Sequence, residues 1–183
     1  MFLPIFIGLL VIIVLYVVGL YNALVRMRNQ IKNAWAQIDV QLKRRHDLIP
    51  NLIETVKGYM THERETLESV IAARSKAVNA NGVAAQGQAE GHLNTALDKL
   101  LAVVENYPDL KANQSFATLQ EELSSTENRI AFSRQYFNDS VMRFNNKVEI
   151  FPSNVIASSM NLKKEDYFEI EDAREKEAPQ VKF

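Results

Sequence analysis

The first 25 residues restrict this chain more than any other segment, because they contain no charged side chain. The segment reads MFLPIFIGLLVIIVLYVVGLYNALV. A helix of roughly 20 apolar residues crosses the hydrocarbon core of a bilayer, and the run from Leu3 to Val25 reaches that length. We therefore predict a transmembrane segment within residues 1–25 that contacts the lipid bilayer through Leu3 to Val25.

A cleaved signal peptide is the competing interpretation of this run. Signal peptides have a basic segment ahead of a shorter apolar core, and a small-residue cleavage site after it. No Lys or Arg precedes the run, and no A-x-A pattern follows it. These features favour a retained signal anchor.

Basic side chains follow the apolar run directly, at Arg26, Arg28 and Lys32. The positive-inside rule places the basic flank of a membrane segment in the cytoplasm. We expect a single-pass protein with its N-terminus outside and its C-terminal domain in the cytoplasm. The same three side chains are candidates for contact with lipid headgroups.

Apolar residues recur every three or four positions beyond the membrane segment, which is the pattern of amphipathic helices. No stretch alternates as a strand would. The fold class is therefore all-α, with an antiparallel bundle of about four long helices over residues 26–152. Residues 153–183 are predicted to form a charged tail with a short helix. The two longest stripes are Leu24, Met27, Ile31, Trp35, Ile38 and Leu42, and then Phe116, Leu119, Leu123, Thr126, Ile130, Ser133, Phe137, Val141, Phe144 and Val148.

Pro50 interrupts the first stripe, since proline in a helix interior removes a hydrogen bond and clashes with the preceding turn. Asp47 is a good N-cap residue, so we predict a turn at His46–Asp47 and a second helix that starts there. That helix would bury Ile49, Leu52, Val56, Met60, Leu67, Ile71 and Val78. A kinked continuation through the proline is the alternative. Residues 79–91, which hold three of the six glycines, are predicted to be a flexible loop.

The composition excludes several kinds of chemistry. There are no cysteines, so disulfides, thiol nucleophiles and thiolate metal sites are absent. A net charge of −1 provides no field to recruit nucleic acid. His62-Glu63 begins like a zinc-protease motif, but Thr66 stands where the second histidine would be. We predict no catalytic residue, no metal and no cofactor.

Charged residues beside the apolar stripes are the remaining candidates for function. Arg45 and Asp47 lie near the proline, and Glu127, Asn128 and Arg129 lie beside Ile130. Charges next to a buried stripe either pair across helices or face a partner. We expect these five residues to form a buried polar network that fixes helix register, or to contact a partner.

Three stretches together resemble the bacterial LemA family: YNALVRMRNQIKNAWAQIDVQLKRRHDLIPNLIETVKGYMTHERETLE, ENYPDLKANQSFATLQEELSSTENRIAFSRQYFNDSV and FPSNVIA. The resemblance extends over nearly all of the chain beyond the membrane segment. It implies an N-terminal transmembrane helix in the bacterial cytoplasmic (inner) membrane, a cytoplasmic all-helical domain and no established enzymatic activity. Family members often continue with a Phe-rich GLFGF stretch, where this chain has SSMNLKKEDYFE.

Three functional hypotheses follow from these features. The leading one is a non-enzymatic, membrane-anchored scaffold or interaction protein, with an unidentified protein partner or further copies of itself as a homo-oligomer. The second is a membrane-organising protein that assembles into coats or filaments. The third is a hydrolase that uses His46, His62 and nearby carboxylates.

Overall fold

The computed structural model describes residues 2–60 and 62–170, and these residues form six helices and no strand. The prediction of an all-α fold, with a long apolar N-terminal helix and further helices forming a bundle, is confirmed. The four long helices are α1, α2, α3 and α5. The bounds are α1 Phe2–Lys57, α2 Arg64–Val78, α3 Val83–Val104, α4 Pro108–Lys111, α5 Gln114–Glu149 and α6 Ser153–Ser159.

Helix α1 does not turn at His46–Asp47. It contains 56 residues, with Pro50 inside it, and ends at Lys57. The predicted turn is therefore wrong, and the alternative of a helix that continues through the proline is correct. The chain instead leaves the helix at Gly58 and Tyr59.

Because α1 continues through Pro50, the buried face of α2 differs from the predicted one. Ile71 and Val78, predicted to be buried, are each 51% exposed. The stripe of α1 cannot extend into α2, because α1 ends at Lys57 and α2 begins only at Arg64, which resets the helical phase. Helix α2 buries Leu67, Val70, Ala73 and Ala77 instead.

The loop predicted for residues 79–91 is shorter than expected. Helix α3 already begins at Val83, and Gly82, with a φ of 87°, provides the left-handed residue that the connection requires. The glycines that suggested a loop, Gly87 and Gly91, are buried within α3. Gly87 serves close packing rather than flexibility, since an added Cβ would meet the carbonyl oxygen of Glu169.

The chain groups into two compact units, and α1 and α5 each contribute residues to both of them. Among the described residues, the first contains residues 2–37 together with Gln135–Asp166, and the second contains Ile38–Arg134 and residues 167–170. The predicted domain boundaries at residues 25 and 152 stay predictions.

In the first unit, side chains of α1 pack on α5. The rings of Trp35 and Phe137 lie 5.4 Å apart between centroids, and Gln30 Nε2 donates to the Tyr136 hydroxyl at 3.1 Å. Leu24, at 1% exposed, is the first fully buried residue of α1. The part of the predicted stripe that lies in this unit, Leu24, Met27, Ile31 and Trp35, is thus its packing face.

In the second unit, the remainder of α1 and of α5 shares an apolar core with α2, α3 and α4. Asn113 caps α5 by accepting hydrogen bonds from the backbone N–H groups of Ser115 and Phe116 at 2.9 and 3.1 Å. The fully buried centre of this core comprises Ile49, Leu52, Val56, Val70, Leu93, Leu100 and Leu110.

The short helix predicted after Pro152 is present as α6. It ends in a Schellman motif: Asn161 adopts a φ of 54°, and its N–H and that of Leu162 donate to Ser158 O and Ala157 O, each at 3.0 Å. Asn145 then holds the chain at Glu165, donating to its carbonyl at 3.0 Å and accepting from its N–H at 2.9 Å.

In the second unit, the segment from Tyr167 to Ile170 lies against α3. Phe168 is 0% exposed, and a Cβ placed on Gly87 would lie 2.1 Å from the carbonyl oxygen of Glu169. The YFE sequence that replaces the family's Phe-rich stretch therefore docks by a buried phenylalanine over a glycine. The final VKF, the other apolar stretch of the tail, lies outside the described residues.

Candidate functional site

Pro50 lies inside α1 and changes the backbone hydrogen bonding of that helix in the second unit. It has no backbone N–H, so the carbonyl of His46, four residues earlier, has no helical donor. Arg74 of α2 supplies one, because its Nε donates to His46 O at 2.7 Å. The side chain of one helix thus satisfies the backbone of another, which explains why α1 tolerates the proline.

Arg45, the residue before His46, is buried with only 2% of its surface exposed. Its Nη2 donates to Oδ1 of Asn94 on α3. Its Nη1 lies 3.3 Å from Oε2 of Glu127 on α5 and 3.6 Å from Oε2 of Glu90 on α3. One guanidinium therefore joins three helices.

Glu90 is the carboxylate at the centre of this group, with no exposed surface. Its Oε1 lies 2.8 Å from His46 Nε2 and accepts a hydrogen bond from Gln86 Nε2 at 2.8 Å. Its Oε2 faces Arg45. We call the set Arg45, His46, Arg74, Gln86, Glu90, Asn94 and Glu127 the polar cluster.

The spacing of residues on α3 explains how these side chains meet. Gly87, Glu90, Gly91 and Asn94 follow one another by three, one and three positions, so all four lie on one face of the helix. The two glycines have no side chains, so they leave room on this face. Glu90 and Asn94 reach Arg45 from this face, whereas the space beside Gly87 is occupied by the backbone of Glu169.

The cluster contains both charges and unsatisfied atoms. Within the described residues, Arg45 Nη1 and Glu90 Oε2 are buried atoms without a hydrogen-bond partner, although they form the 3.6 Å ion pair. Removing one member of such a pair leaves the other charged and buried, which is strongly unfavourable. The arrangement is therefore suited to holding α1, α3 and α5 in one register.

Two clefts flank the cluster, each with a volume of about 320 Å³. The first is lined by Arg45, Asn94, Glu127 and Asn128, among others, and has a leucine-rich wall. The second is lined by His46, Arg74 and Gln86, with Asp39 and Asp47 at its edge. Across residues 2–60 and 62–170, no group of three His, Cys, Asp or Glu side chains is arranged to hold a metal ion.

The structure brings together only some of the site residues that the sequence indicated. Arg45 and Glu127 meet in the cluster. Asp47, Asn128 and Arg129 are exposed, and Asp47 and Asn128 only line clefts. Arg26, Arg28 and Lys32 are exposed on α1 directly after the apolar segment. Headgroup or partner contact by any of these residues stays a prediction.

Sequence reasoning missed Gln86 and Glu90, because they lie in residues 79–91, which were interpreted as a loop, and it assigned no role to Asn94, which follows that stretch. The available signal was a polar residue at 90 and another at 94, on the same helical face as Leu93 and Leu97. His46 was interpreted as part of a turn, and no role was predicted for Arg74. The role of Arg74 depends on Pro50, 24 positions earlier in the chain.

Comparison with known proteins supplies the family. The family model described as LemA family matches residues 34–183. Protein LemA of Metamycoplasma hominis is 30% identical over 149 residues, which are 79% of this chain and 67% of that protein. Magnetosome protein MamQ of Magnetospirillum gryphiswaldense is 24% identical over 81% of this chain and 64% of its own length. The aligned region is thus about two thirds of each of these relatives.

The N-terminal helix agrees with a membrane protein of this kind. Among the described residues, α1 is the one helix long and apolar enough to cross a membrane by length and composition, and its most apolar 18-residue window is 0% buried. Outside a membrane, this apolar window would be exposed to water, which is unfavourable. The family match and this helix together show that the chain belongs to the LemA family, as a LemA-type membrane protein.

Proposed function

We propose that this protein is a non-enzymatic scaffold that anchors a helical bundle to the bacterial cytoplasmic membrane and presents its surfaces to protein partners or to further copies of itself. Its N-terminus lies outside and its bundle lies in the cytoplasm. The observation that most supports the proposal is the polar cluster. Its titratable side chains bind one another and the backbone, which is an arrangement for fixing helices rather than for acting on a substrate.

Exposed apolar side chains on α5 support the interaction role. Phe132 is 74% exposed in the middle of this helix. Leaving a phenylalanine in water forgoes about 1.5–3 kcal/mol of burial free energy. A partner surface or a second copy would recover part of that free energy.

Cysteine crosslinking in intact membranes tests the proposal, since the natural chain contains no cysteine. Phe132→Cys should give dimer or partner adducts with a bifunctional thiol reagent. Ala34→Cys, at a position with 0% exposure, is the matched control and should give none. Only monomer at Phe132→Cys, with no protein that co-purifies from the native membrane, would contradict the scaffold role.

A second candidate function is membrane organisation, in which the protein assembles into coats or filaments on the bilayer. It is favoured by the similarity to two magnetosome proteins, MamQ of Magnetospirillum gryphiswaldense and MamQ 2 of Paramagnetospirillum magneticum, each over 81% of this chain. Electron microscopy of the protein in vesicles should then show ordered arrays or tubes. Vesicles indistinguishable from protein-free ones would eliminate this candidate.

A further inference from the structure

An exposed apolar corner lies where α5 ends and α6 begins, in the first unit. Ile150 is 58% exposed, Phe151 is 77% exposed and Val155 is 57% exposed. We call these three residues the apolar corner. Large apolar side chains clustered at a helix end commonly mark a site that is covered by a partner or by lipid.

The register of α5 against α1 gives the height of this corner along the membrane helix. Trp35 contacts Phe137 in the first unit, and α5 continues from there to Glu149. The residues that follow Gln135 group with residues up to Gln37 and not with the later part of α1. Helix α5 therefore runs back along α1 toward its N-terminus.

The rise per residue converts this register into a position. From Phe137 to Glu149, α5 advances about 18 Å at 1.5 Å per residue. The same distance from Trp35 toward the N-terminus of α1 reaches Ala23. Burial agrees, because Leu24 is 1% exposed whereas Val18 is 47% exposed and Tyr16 is 55% exposed. The apolar corner thus lies level with the last residues of the Leu3–Val25 segment.

Local packing turns the apolar side chains of the corner outward. Ser153 and Ala157 face the interior of the unit, at 2% and 0% exposed. Ser153 Oγ donates to the carbonyl of Ile150 at 2.8 Å, which fixes the corner. Small or polar side chains inside and large apolar ones outside reverse the usual pattern of a water-exposed helix end. Exposed Lys147 and Lys163 are balanced in the flanking chain by exposed Glu165 and Asp166, and Lys164 pairs with Glu149, so apolar burial rather than charge would hold the corner.

We propose that the apolar corner inserts into the bilayer beside the membrane helix, at the boundary between headgroups and acyl chains. The position follows from the register, and the lipid is the occupant because the corner is level with the end of a membrane-spanning segment. The first unit would then contact the membrane both through the Leu3–Val25 segment and through the apolar corner. This inference rests on the proposed membrane anchoring of Leu3–Val25.

Depth-dependent fluorescence quenching tests the proposal on the full chain. Phe151→Cys and Val155→Cys would each be labelled with an environment-sensitive fluorophore in the cysteine-free background. The vesicles would contain phosphatidylethanolamine and phosphatidylglycerol, with or without lipids brominated near the top of the acyl chain. Val18→Cys reports on the membrane helix. Asp139→Cys, an exposed position on α5 about 15 Å before the corner, is the matched control.

We expect brominated lipid to reduce emission at least twofold at positions 151, 155 and 18, and to leave position 139 unchanged. Quenching at 18 with 151 and 155 no more quenched than 139 would overturn the corner proposal and leave the anchor intact. This includes the case in which a second copy covers the corner, which would blue-shift emission without bromine quenching. No quenching at 18 would overturn the anchor and the corner together, and equal quenching at all four positions would overturn the corner proposal.

Discussion

At the position of Glu90, a carboxylate without exposed surface lies beside the buried guanidinium of Arg45. The free energy of unfolding should depend strongly on keeping both charges. We expect Arg45→Met to lower it by about 3–5 kcal/mol, because Glu90 would stay buried without its cation. Arg45→Met combined with Glu90→Gln should recover much of the loss. Chemical unfolding of the full chain in detergent, followed by circular dichroism, measures both.

Arg129→Met is the control for this pair, since Arg129 is exposed on α5. Exposed substitutions of this kind change stability by about 0.5 kcal/mol or less. If Arg45→Met were as mild as Arg129→Met, the polar cluster would not be holding the helices.

A second residue-scale prediction concerns Gly87. An added methyl group would lie 2.1 Å from the carbonyl oxygen of Glu169, far closer than atoms can approach. Gly87→Ala should therefore displace the segment that carries Phe168 and expose it. Hydrogen exchange at residues 167–170 should become at least tenfold faster. Gly58→Ala, whose Cβ would have no neighbour closer than 4.0 Å, should leave that exchange unchanged.

At the scale of elements, the continuity of α1 depends on a donor from α2. Arg74→Ala would leave the His46 carbonyl without its 2.7 Å bond, and we expect a loss of about 1–3 kcal/mol in the free energy of unfolding. Pro50→Ala restores a backbone N–H four residues after that carbonyl. In the Pro50→Ala background, Arg74→Ala should therefore cost at least about 1 kcal/mol less.

A double-mutant cycle over the four proteins gives the coupling directly. Thermal unfolding in detergent at one pH and ionic strength is sufficient. Equal costs of Arg74→Ala in both backgrounds would mean that Arg74 stabilises α1 by some other contact.

At the scale of the whole molecule, the expected orientation depends on the basic residues after the membrane segment. Replacing Arg26, Arg28 and Lys32 by glutamine should lower the fraction of molecules whose C-terminus is cytoplasmic, because charges close to a membrane segment set its direction. A C-terminal reporter that fluoresces only in the cytoplasm measures this fraction. Glutamine at Lys99, Lys111 and Arg129, all exposed, gives the same charge change far from the segment and should have no effect. A reporter signal unaffected by the first set would contradict the assigned role of these residues.

The sequence by itself determined the local features of this protein. Absence of charge over the first 25 residues predicts the apolar helix, and the stripes from Leu24 to Leu42 and from Phe116 to Val148 predict the buried faces that the structure has. These predictions succeed because helical periodicity and apolar length are properties of neighbouring residues.

Tertiary structure decided the features that depend on residues distant in the chain. Pro50 can stay inside α1 because Arg74 binds the carbonyl that it leaves free. Glu90 can be buried because Arg45 and His46 reach it, and Gly87 is needed because Glu169 passes over it. In each case the free energy of placing a residue depends on a partner that is distant in the chain and comes near only on folding. The pattern of neighbouring residues therefore cannot predict it.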